Sequence, residues 1–298
     1  MLNESVTIVF FSGTGGTRKI AKEFERQFIT HTFGTHLYEI DSAYFKSDTP
    51  KIEENIKRSR YIFVLFPIYA FDAPQPIYQW IEETGATNKN VIVISVSGGG
   101  EVWPNVGTRF NCITALEEKG FQVIYEKMMV MPSNCFSATN DHLAMRLIKV
   151  IPEKVNKIIQ AVLSGKIRRT KMKRKTIFQS WISRKEKKGA HRFAKLLSID
   201  DHCTRCGWCV ENCPVKSIVM DSGKPTFLDR CIICLRCIYG CPINAIRVKV
   251  FPILKEGFNL EALEKRMHQV ELDPIEKCSK GLLWKGVKKY LLESDDYE

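Results

Sequence analysis

The sequence predicts an α/β protein in which a doubly wound parallel sheet precedes a small cysteine-rich domain and a helical tail. Two patterns lead to this prediction. Near-continuous apolar runs alternate with segments of helical spacing up to about position 163, as strands buried on both faces of a sheet require. Eight of the eleven cysteines then fall between positions 203 and 241, so the second half of the chain has a different composition.

Length and composition limit the class of protein. With 298 residues and 44% hydrophobic content, the chain is long enough for about two folded domains. The longest nearly uncharged apolar run, residues 61–71, has 11 residues, whereas a membrane-spanning helix needs about 20. The first residues lack the basic start of a secretory signal. We therefore expect a soluble, cytoplasmic protein whose cysteines serve metal ligation or redox chemistry.

Strands and helices are predicted in regular alternation through this first part of the chain. The predicted strands are Val6–Phe11, Thr35–Ile40, Tyr61–Pro67, Asn90–Ser97 and Phe121–Met131. Helical spacing places the intervening helices at Thr17–Thr30, Ile52–Lys57, Gln75–Thr84, Asn105–Lys119 and Asp141–Leu163. Such an alternation makes a doubly wound domain, whose ligand should lie beyond the carboxyl ends of the strands.

A glycine-rich loop, Ser12-Gly13-Thr14-Gly15-Gly16-Thr17, follows the first strand and leads directly into a helix. Backbone N–H groups at a helix N-terminus bind phosphate-sized anions, and the loop hydroxyls can add hydrogen bonds. The Gly-Lys-Ser/Thr of a Walker A loop is absent, and Arg18 stands where a dinucleotide fingerprint needs its third glycine. The loop therefore predicts a monophosphate site formed by Ser12, Thr14, Gly15, Gly16 and Thr17.

This loop closely resembles the FMN phosphate loop of flavodoxins, although Gly16 stands where that family usually has asparagine. The resemblance implies bound FMN and a five-stranded sheet in the order 2-1-3-4-5; the alternative is a flavodoxin fold without flavin. It extends to the two later loops that hold the isoalloxazine ring in such folds. By this resemblance, the residues expected to bind the cofactor there are Pro67, Ile68, Tyr69, Ala70 and Phe71 after the third strand, and Ser97, Gly98, Gly99, Gly100, Trp103 and Asn105 after the fourth. Tyr69, Phe71 and Trp103 are candidates to stack on the ring, with ordinary packing as the alternative for each.

The cysteines form a repeated run. Cys203-x-x-Cys206-x-x-Cys209-x-x-x-Cys213-Pro recurs further along the chain as Cys231-x-x-Cys234-x-x-Cys237-x-x-x-Cys241-Pro. This is the spacing of bacterial proteins with two [4Fe-4S] clusters, in which the fourth cysteine of each run ligates the other cluster. It predicts one cluster on Cys203, Cys206, Cys209 and Cys241, and another on Cys231, Cys234, Cys237 and Cys213. Zinc is the alternative, but zinc ribbons carry two Cys-x-x-Cys pairs rather than two such runs.

The repeat resembles the bacterial-type ferredoxin fold over roughly residues 198–250, and the order of the two resemblances is that of fused flavodoxin-ferredoxin proteins. The predicted division is a flavodoxin-like FMN domain at 1–163, a basic connector at 164–197, a small α+β ferredoxin-like domain at 198–250 and a helical tail at 251–298. The sequence of the tail predicts two short helices, Leu260–Val270 and Lys280–Leu292, and no catalytic or ligand-binding residues. Cys112, Cys135 and Cys278 are predicted to be free thiols without a function.

The connector carries the whole excess of positive charge. Lys166–Lys195 contains 13 Lys or Arg and one acid, and without this segment the bases and acids in the rest of the chain are equal in number. An amphipathic helix is indicated by Ile177, Phe178, Trp181 and Ile182. Three interpretations stay open: a helix packed on one domain with its charges solvated, a docking surface for an acidic redox partner, or a membrane-surface or nucleic-acid contact. No other segment is typical of a nucleic-acid module.

These cofactors predict an electron carrier. FMN accepts two electrons and releases them singly, whereas each cluster carries one. The leading hypothesis is therefore a protein that passes electrons to or from a partner oxidoreductase of anaerobic metabolism. One alternative is an FMN-dependent reductase of a small molecule, with Tyr69, Asp72 or Glu101 as its acid, and another is a redox sensor. The sequence leaves the electron donor and acceptor, the potentials and the oligomeric state open.

Overall fold

The computed structural model describes residues 4–41, 49–85, 87–135, 137–170, 192–249 and 258–293. Its first part is a parallel sheet of β1 (Ser5–Phe10), β2 (Gly34–Glu39), β3 (Tyr61–Pro67), β4 (Asn90–Ser97) and β5 (Gln122–Val130). The strands are ordered β2-β1-β3-β4-β5, which is the flavodoxin-like doubly wound order. The predicted fold class is confirmed, and every strand begins and ends close to its predicted bounds.

Helices cover both faces of this sheet. They are α1 (Gly16–Thr30), α2 (Thr49–Arg58), α3 (Gln75–Glu83), α4 (Phe110–Glu118), α5 (Asp141–Lys149) and α6 (Ile151–Leu163). Because side chains alternate along a strand, Ile8 packs with Phe24 of α1 on one face, while Val9 packs with Trp80 of α3 on the other. Both layers are fully buried, which explains the near-continuous apolar strands.

Two helices predicted as continuous are interrupted. The segment Asp141–Leu163 is split into α5 and α6, because Pro152 has no N–H to donate and its ring clashes with the preceding turn. The predicted helix Asn105–Lys119 starts instead as a 3₁₀ turn, Asn105–Gly107, before α4. The Asn105 side chain donates to the carbonyl oxygen of Gly100 (3.0 Å), which ties this turn to the loop before it.

The cysteine-rich part is a small α+β unit, as predicted. Its antiparallel pairs are β6 (Leu197–Ile199) with β9 (Ile246–Val248) and β7 (Ile218–Asp221) with β8 (Lys224–Phe227). Two one-turn helices, α7 (Trp208–Glu211) and α8 (Arg236–Tyr239), lie within the two cysteine runs. The repeat is also visible in the backbone: Arg205 and Ile233 both have φ 56°, while Lys216 and Asn244 have φ 48° and 50°. Left-handed backbone is rare outside glycine, so the shared positions show two copies of one chain path.

The tail belongs to the core of the first domain. It forms α9 (Leu260–Met267), α10 (Ile275–Cys278) and α11 (Lys285–Leu292), and Leu260, Val287 and Tyr290 are buried in the same apolar cluster as α1 and α6. The tail and the first domain are in close backbone contact at Gly286 and Gly100. A Cβ atom on Gly100 would lie 2.5 Å from the carbonyl carbon of Gly286, and one on Gly286 would collide with the carbonyl oxygen of Gly99.

Only the two ends of the basic connector, residues 164–170 and 192–197, are described. Arg168 forms a parallel bridge with Tyr125 and so extends the sheet beyond the edge strand β5. The predicted amphipathic helix with Ile177, Phe178, Trp181 and Ile182 lies outside the described residues. Among the residues that are described, no helix has the length and apolar character needed to cross a membrane.

Replacing Gly286 with alanine is expected to destabilise the tail. Alanine favours a helix by about 1 kcal/mol over glycine, but here its methyl group meets the backbone of Gly99, and overpacking costs about 1–3 kcal/mol. We expect the tail to become sensitive to limited proteolysis. Gly85→Ala is the matched control, because a Cβ there meets no described atom within 4 Å. Equal protection of the tail in both variants would contradict the packing described above.

Candidate functional site

The glycine-rich loop lies between the carboxyl end of β1 and the N-terminus of α1. Gly15 has φ 96°, which glycine adopts without strain, and the Ser12 hydroxyl oxygen accepts the N–H of Arg18 (3.2 Å). Within the described part of the chain, no acceptor is found for five successive backbone N–H groups, those of Gly13, Thr14, Gly15, Gly16 and Thr17. The first turn of α1 carries no acidic residue. Free amides at the positive end of a helix fit a phosphate group.

The loop after β3 makes a tight turn. Tyr69 and Asp72 exchange two backbone hydrogen bonds of 3.0 Å, and the residues between them, Ala70 and Phe71, have φ 48° and 56°. Two successive left-handed residues without glycine store strain, a feature that clusters at functional sites. The turn brings the Tyr69 hydroxyl over the phosphate loop, where a Cβ on Gly13 would collide with it. Desolvation, with the nearby Cys234 thiol, raises the pKa of Tyr69 well above its ordinary value.

The loop after β4 is shaped by its own polar groups. The Ser97 hydroxyl oxygen accepts the N–H of Gly99 (3.0 Å) and the side-chain amide of Asn105 (3.2 Å). Asn105 therefore holds the loop, and any role of its side chain toward a flavin would compete with these bonds. Trp103 is 75% exposed. The contacts of this loop with an isoalloxazine ring stay a prediction.

The eight cysteines of the repeat line two cavities. One is lined by Cys203, Cys206, Cys209 and Cys241, and the other is lined by Cys213, Cys231, Cys234 and Cys237. These are the two sets predicted from crossed ligation. In the described ranges, no three His, Cys, Asp or Glu side chains are grouped closely enough to hold one metal ion. The ligand roles stay a prediction.

Backbone amides point at several of these sulfurs. Ser217 N–H donates to Cys213 Sγ (3.1 Å) and Ala245 N–H donates to Cys241 Sγ (3.2 Å), at corresponding positions of the two runs. Hydrogen bonds of this kind help to set cluster potentials. Desolvation raises the pKa of Cys234 to about 12, against the lowering effect of the Arg236 N–H and charge. Because metal ligation takes thiolates, filling this cavity must release protons.

The second cysteine run lies directly on the phosphate loop. A Cβ on Gly13 would be 2.6 Å from the carbonyl oxygen of Cys234 and 3.3 Å from its Cβ. Arg236, the next residue but one, donates from Nε to the carbonyl oxygen of Gly13 (3.1 Å). The two candidate cofactor sites therefore adjoin. Sequence reasoning missed Arg236, yet a signal existed: Arg236 is the single charged residue within the second run, and the first run has Trp208 at the corresponding position.

Comparison with known proteins gave matches to different parts of the chain. Residues 195–247 match the family model of a 4Fe-4S dicluster domain, and the comparison with curated proteins gave no match. Similar solved structures include general stress protein 14 of Treponema denticola in complex with FMN, at 11% identity and TM-score 0.41, covering 54% of this chain and 98% of that chain. Another is a two-electron reduced flavodoxin of Megasphaera elsdenii, at 14% identity and TM-score 0.34, covering 51% of this chain and 98% of that chain. At such values the strand order carries the fold assignment.

Strand order and family match together define an iron-sulfur redox protein with a flavodoxin-like domain, and electron transfer is the chemistry of such parts. The chain has the architecture of the fused flavodoxin-ferredoxin proteins that its motifs resemble.

Proposed function

We propose that this protein is an electron carrier in which FMN, bound at the carboxyl ends of the strands, exchanges electrons with two [4Fe-4S] clusters. The observation that carries the proposal is the contact of Cys234 with Gly13, which sets one cluster cavity against the phosphate loop. FMN would supply a two-electron store beside one-electron centres. The amides of the loop bind its phosphate, and the second cysteine set holds the cluster nearest to it.

The other cysteine set faces outward in this proposal. Cys206 of this outer set is exposed, whereas none of the four cysteines of the inner set, Cys213, Cys231, Cys234 and Cys237, is exposed. A partner protein would therefore meet the outer cluster first. The described start of the connector is engaged internally, since Arg168 pairs with Glu101 (3.1 Å) and Arg169 with Glu117 (2.7 Å). Docking of an acidic partner is thus proposed only for the connector beyond residue 170.

The alternative of a small-molecule reductase has less support, because two of its three candidate acids, Asp72 and Glu101, are committed elsewhere. Asp72 is 1% exposed and accepts the Tyr78 hydroxyl (2.6 Å) and the Asn111 amide (2.9 Å). Burial alone would raise the pKa of Glu101, but Arg109 and Arg168 outweigh it and hold that pKa below its ordinary value. A carboxylate held ionised in this way is a poor proton donor.

Cofactor analysis of the purified protein tests the proposal. After anaerobic purification we expect about eight iron atoms, matching sulfide and one FMN per chain. Stepwise reduction followed by absorbance should bleach the cluster and flavin bands in separate steps. Iron without flavin, even after incubation with FMN, would reduce the first domain to a scaffold, and a zinc content matching the cysteines would overturn both clusters.

A further inference from the structure

The one-turn helix α8 contacts the phosphate loop directly through Arg236, and Tyr239 is linked to the same loop through Asn134. Its first residue, Arg236, lies between Cys234 and Cys237 of the inner cysteine set, and its last residue is Tyr239. Both side chains cross from the iron-sulfur domain to the first domain. The position of α8 therefore depends on the cysteines, and its contacts reach the loop.

Arg236 binds the loop through its carbonyl groups. Its guanidinium donates to the carbonyl oxygens of Gly13 (3.1 Å) and Ser12, and also to Glu39 (2.9 Å), which in turn pairs with Arg18 (2.6 Å). Because a trans peptide unit is planar, its N–H points away from its C=O. Holding these two carbonyls thus directs the N–H groups of Gly13 and Thr14 away from Arg236. These are two of the five loop amides for which the described residues supply no acceptor.

Tyr239 acts on the loop hydroxyl. Its OH donates to the backbone oxygen of Asn134 (2.5 Å), and the Asn134 side-chain amide donates to Thr14 Oγ1 (2.6 Å). A hydroxyl that accepts one hydrogen bond keeps its own proton to donate. Thr14 is in this way prepared to donate to a phosphate oxygen.

We propose that Arg236 and Tyr239 are positioning residues that couple the two cofactor sites, so that a filled inner cluster site strengthens FMN binding and bound FMN stabilises the inner cluster. The proposal rests on the proposed function, since it requires both groups. A cluster fixes Cys234 and Cys237, these hold α8, and α8 orients the loop amides and the Thr14 hydroxyl. Coupling between binding sites is reciprocal by thermodynamic necessity.

The test compares FMN with riboflavin, which lacks the phosphate, on the full-length iron-loaded chain. Arg236→Gln and Tyr239→Phe are each expected to weaken FMN binding by about tenfold, within the range of about 5- to 150-fold typical of coupled sites. Riboflavin affinity should stay the same, because the affected groups meet only the phosphate. Arg230→Gln is the matched control: it removes the same charge beside Cys231, but its guanidinium donates to Lys216 O within its own domain (3.1 Å).

A second readout tests the reverse direction. FMN should raise the chelator concentration that removes half of the iron from the inner site in the wild type, and this protection should be lost in Arg236→Gln. Unchanged FMN affinity in both variants would overturn the coupling while leaving the proposed function in place. Equal weakening of FMN and riboflavin would also overturn it, because that indicates general disruption. A wild type that binds no FMN would instead refute the proposed function. Tyr239→Phe keeps the test valid should Arg236→Gln fail to fold.

Discussion

Cys213→Ala is expected to remove the cluster that is otherwise held by the second cysteine run, lowering the iron content from about eight to about four atoms per chain. Cys213 lies in the first run of the sequence, yet it lines the cavity of Cys231, Cys234 and Cys237. Its loss leaves that cavity with three of its four thiolates. The remaining cluster, on the other cysteine set, should persist with an unchanged spectrum.

Pairs of variants make this prediction specific. If ligation is crossed, Cys213→Ala and Cys231→Ala lose the same cluster and give the same spectrum of the reduced protein, while Cys241→Ala matches Cys203→Ala. A match between Cys213→Ala and Cys203→Ala would show that each run serves its own cluster. Cys278→Ala is the control, because this buried thiol lies in the tail helix α10 and should leave all the iron in place.

Arg109→Met is expected to lower the free energy of unfolding by about 3–5 kcal/mol, because breaking a buried ion pair leaves a charge without compensation. The Arg109 guanidinium is fully buried and donates to Glu126 (2.6 Å), to Ser95 (3.0 Å) and to Glu101. Glu126 is itself 4% exposed at its side chain. Urea unfolding followed by circular dichroism measures the loss, and Arg58→Ala is the control.

The control removes an arginine that is exposed to solvent rather than buried. Arg58 pairs with Glu54 at the surface, where the two side chains are 73% and 54% exposed, and such pairs contribute at most about 1 kcal/mol. Similar losses in the two variants would contradict a special role for the buried network. A partial recovery is expected when Glu126→Gln is added to Arg109→Met, since the second change removes a buried carboxylate that has lost its closest ion-pair partner.

The same network has a pH signature. Since Arg109 and Arg168 hold the pKa of Glu101 below its ordinary value despite burial, ionised Glu101 contributes stability above that ordinary value. This contribution is lost as the pH falls through the lowered pKa of the folded state. In Arg109→Met, protonation of Glu101 on acidification should therefore lower the free energy of unfolding by less than it does in the wild type.

Local patterns in the sequence were sufficient for the elements and for the grouping of the cysteines. The strands follow from uninterrupted apolar runs, and the grouping of the cysteines in two pockets follows from the spacing of the two runs. Pro152 shows the limit of periodicity, because apolar spacing continues through a residue that cannot continue the hydrogen bonding of a helix.

Contacts between distant segments were not predictable in this way. The Arg236 bond to Gly13 joins positions far apart in the chain, and so does the packing of Gly286 on Gly100. The apolar periodicity of a segment predicts which of its faces is buried, but it does not predict which other segment covers that face. Asn105 shows the same limit for residues that are close in sequence. Its position in the loop was predicted, but its side-chain hydrogen bonds to Ser97 and Gly100 depend on the conformation of the folded loop.

The place of the tail in the core has a consequence for biosynthesis. Residues up to Leu291 complete the apolar layer that begins with β1 and α1, so the iron-sulfur domain is, in spatial terms, an insertion into its neighbour rather than an appendage. Synthesis runs from the N-terminus, and all eight cysteines of the repeat therefore leave the ribosome before that layer can close. The first domain therefore completes its core only after the whole iron-sulfur domain has been synthesised.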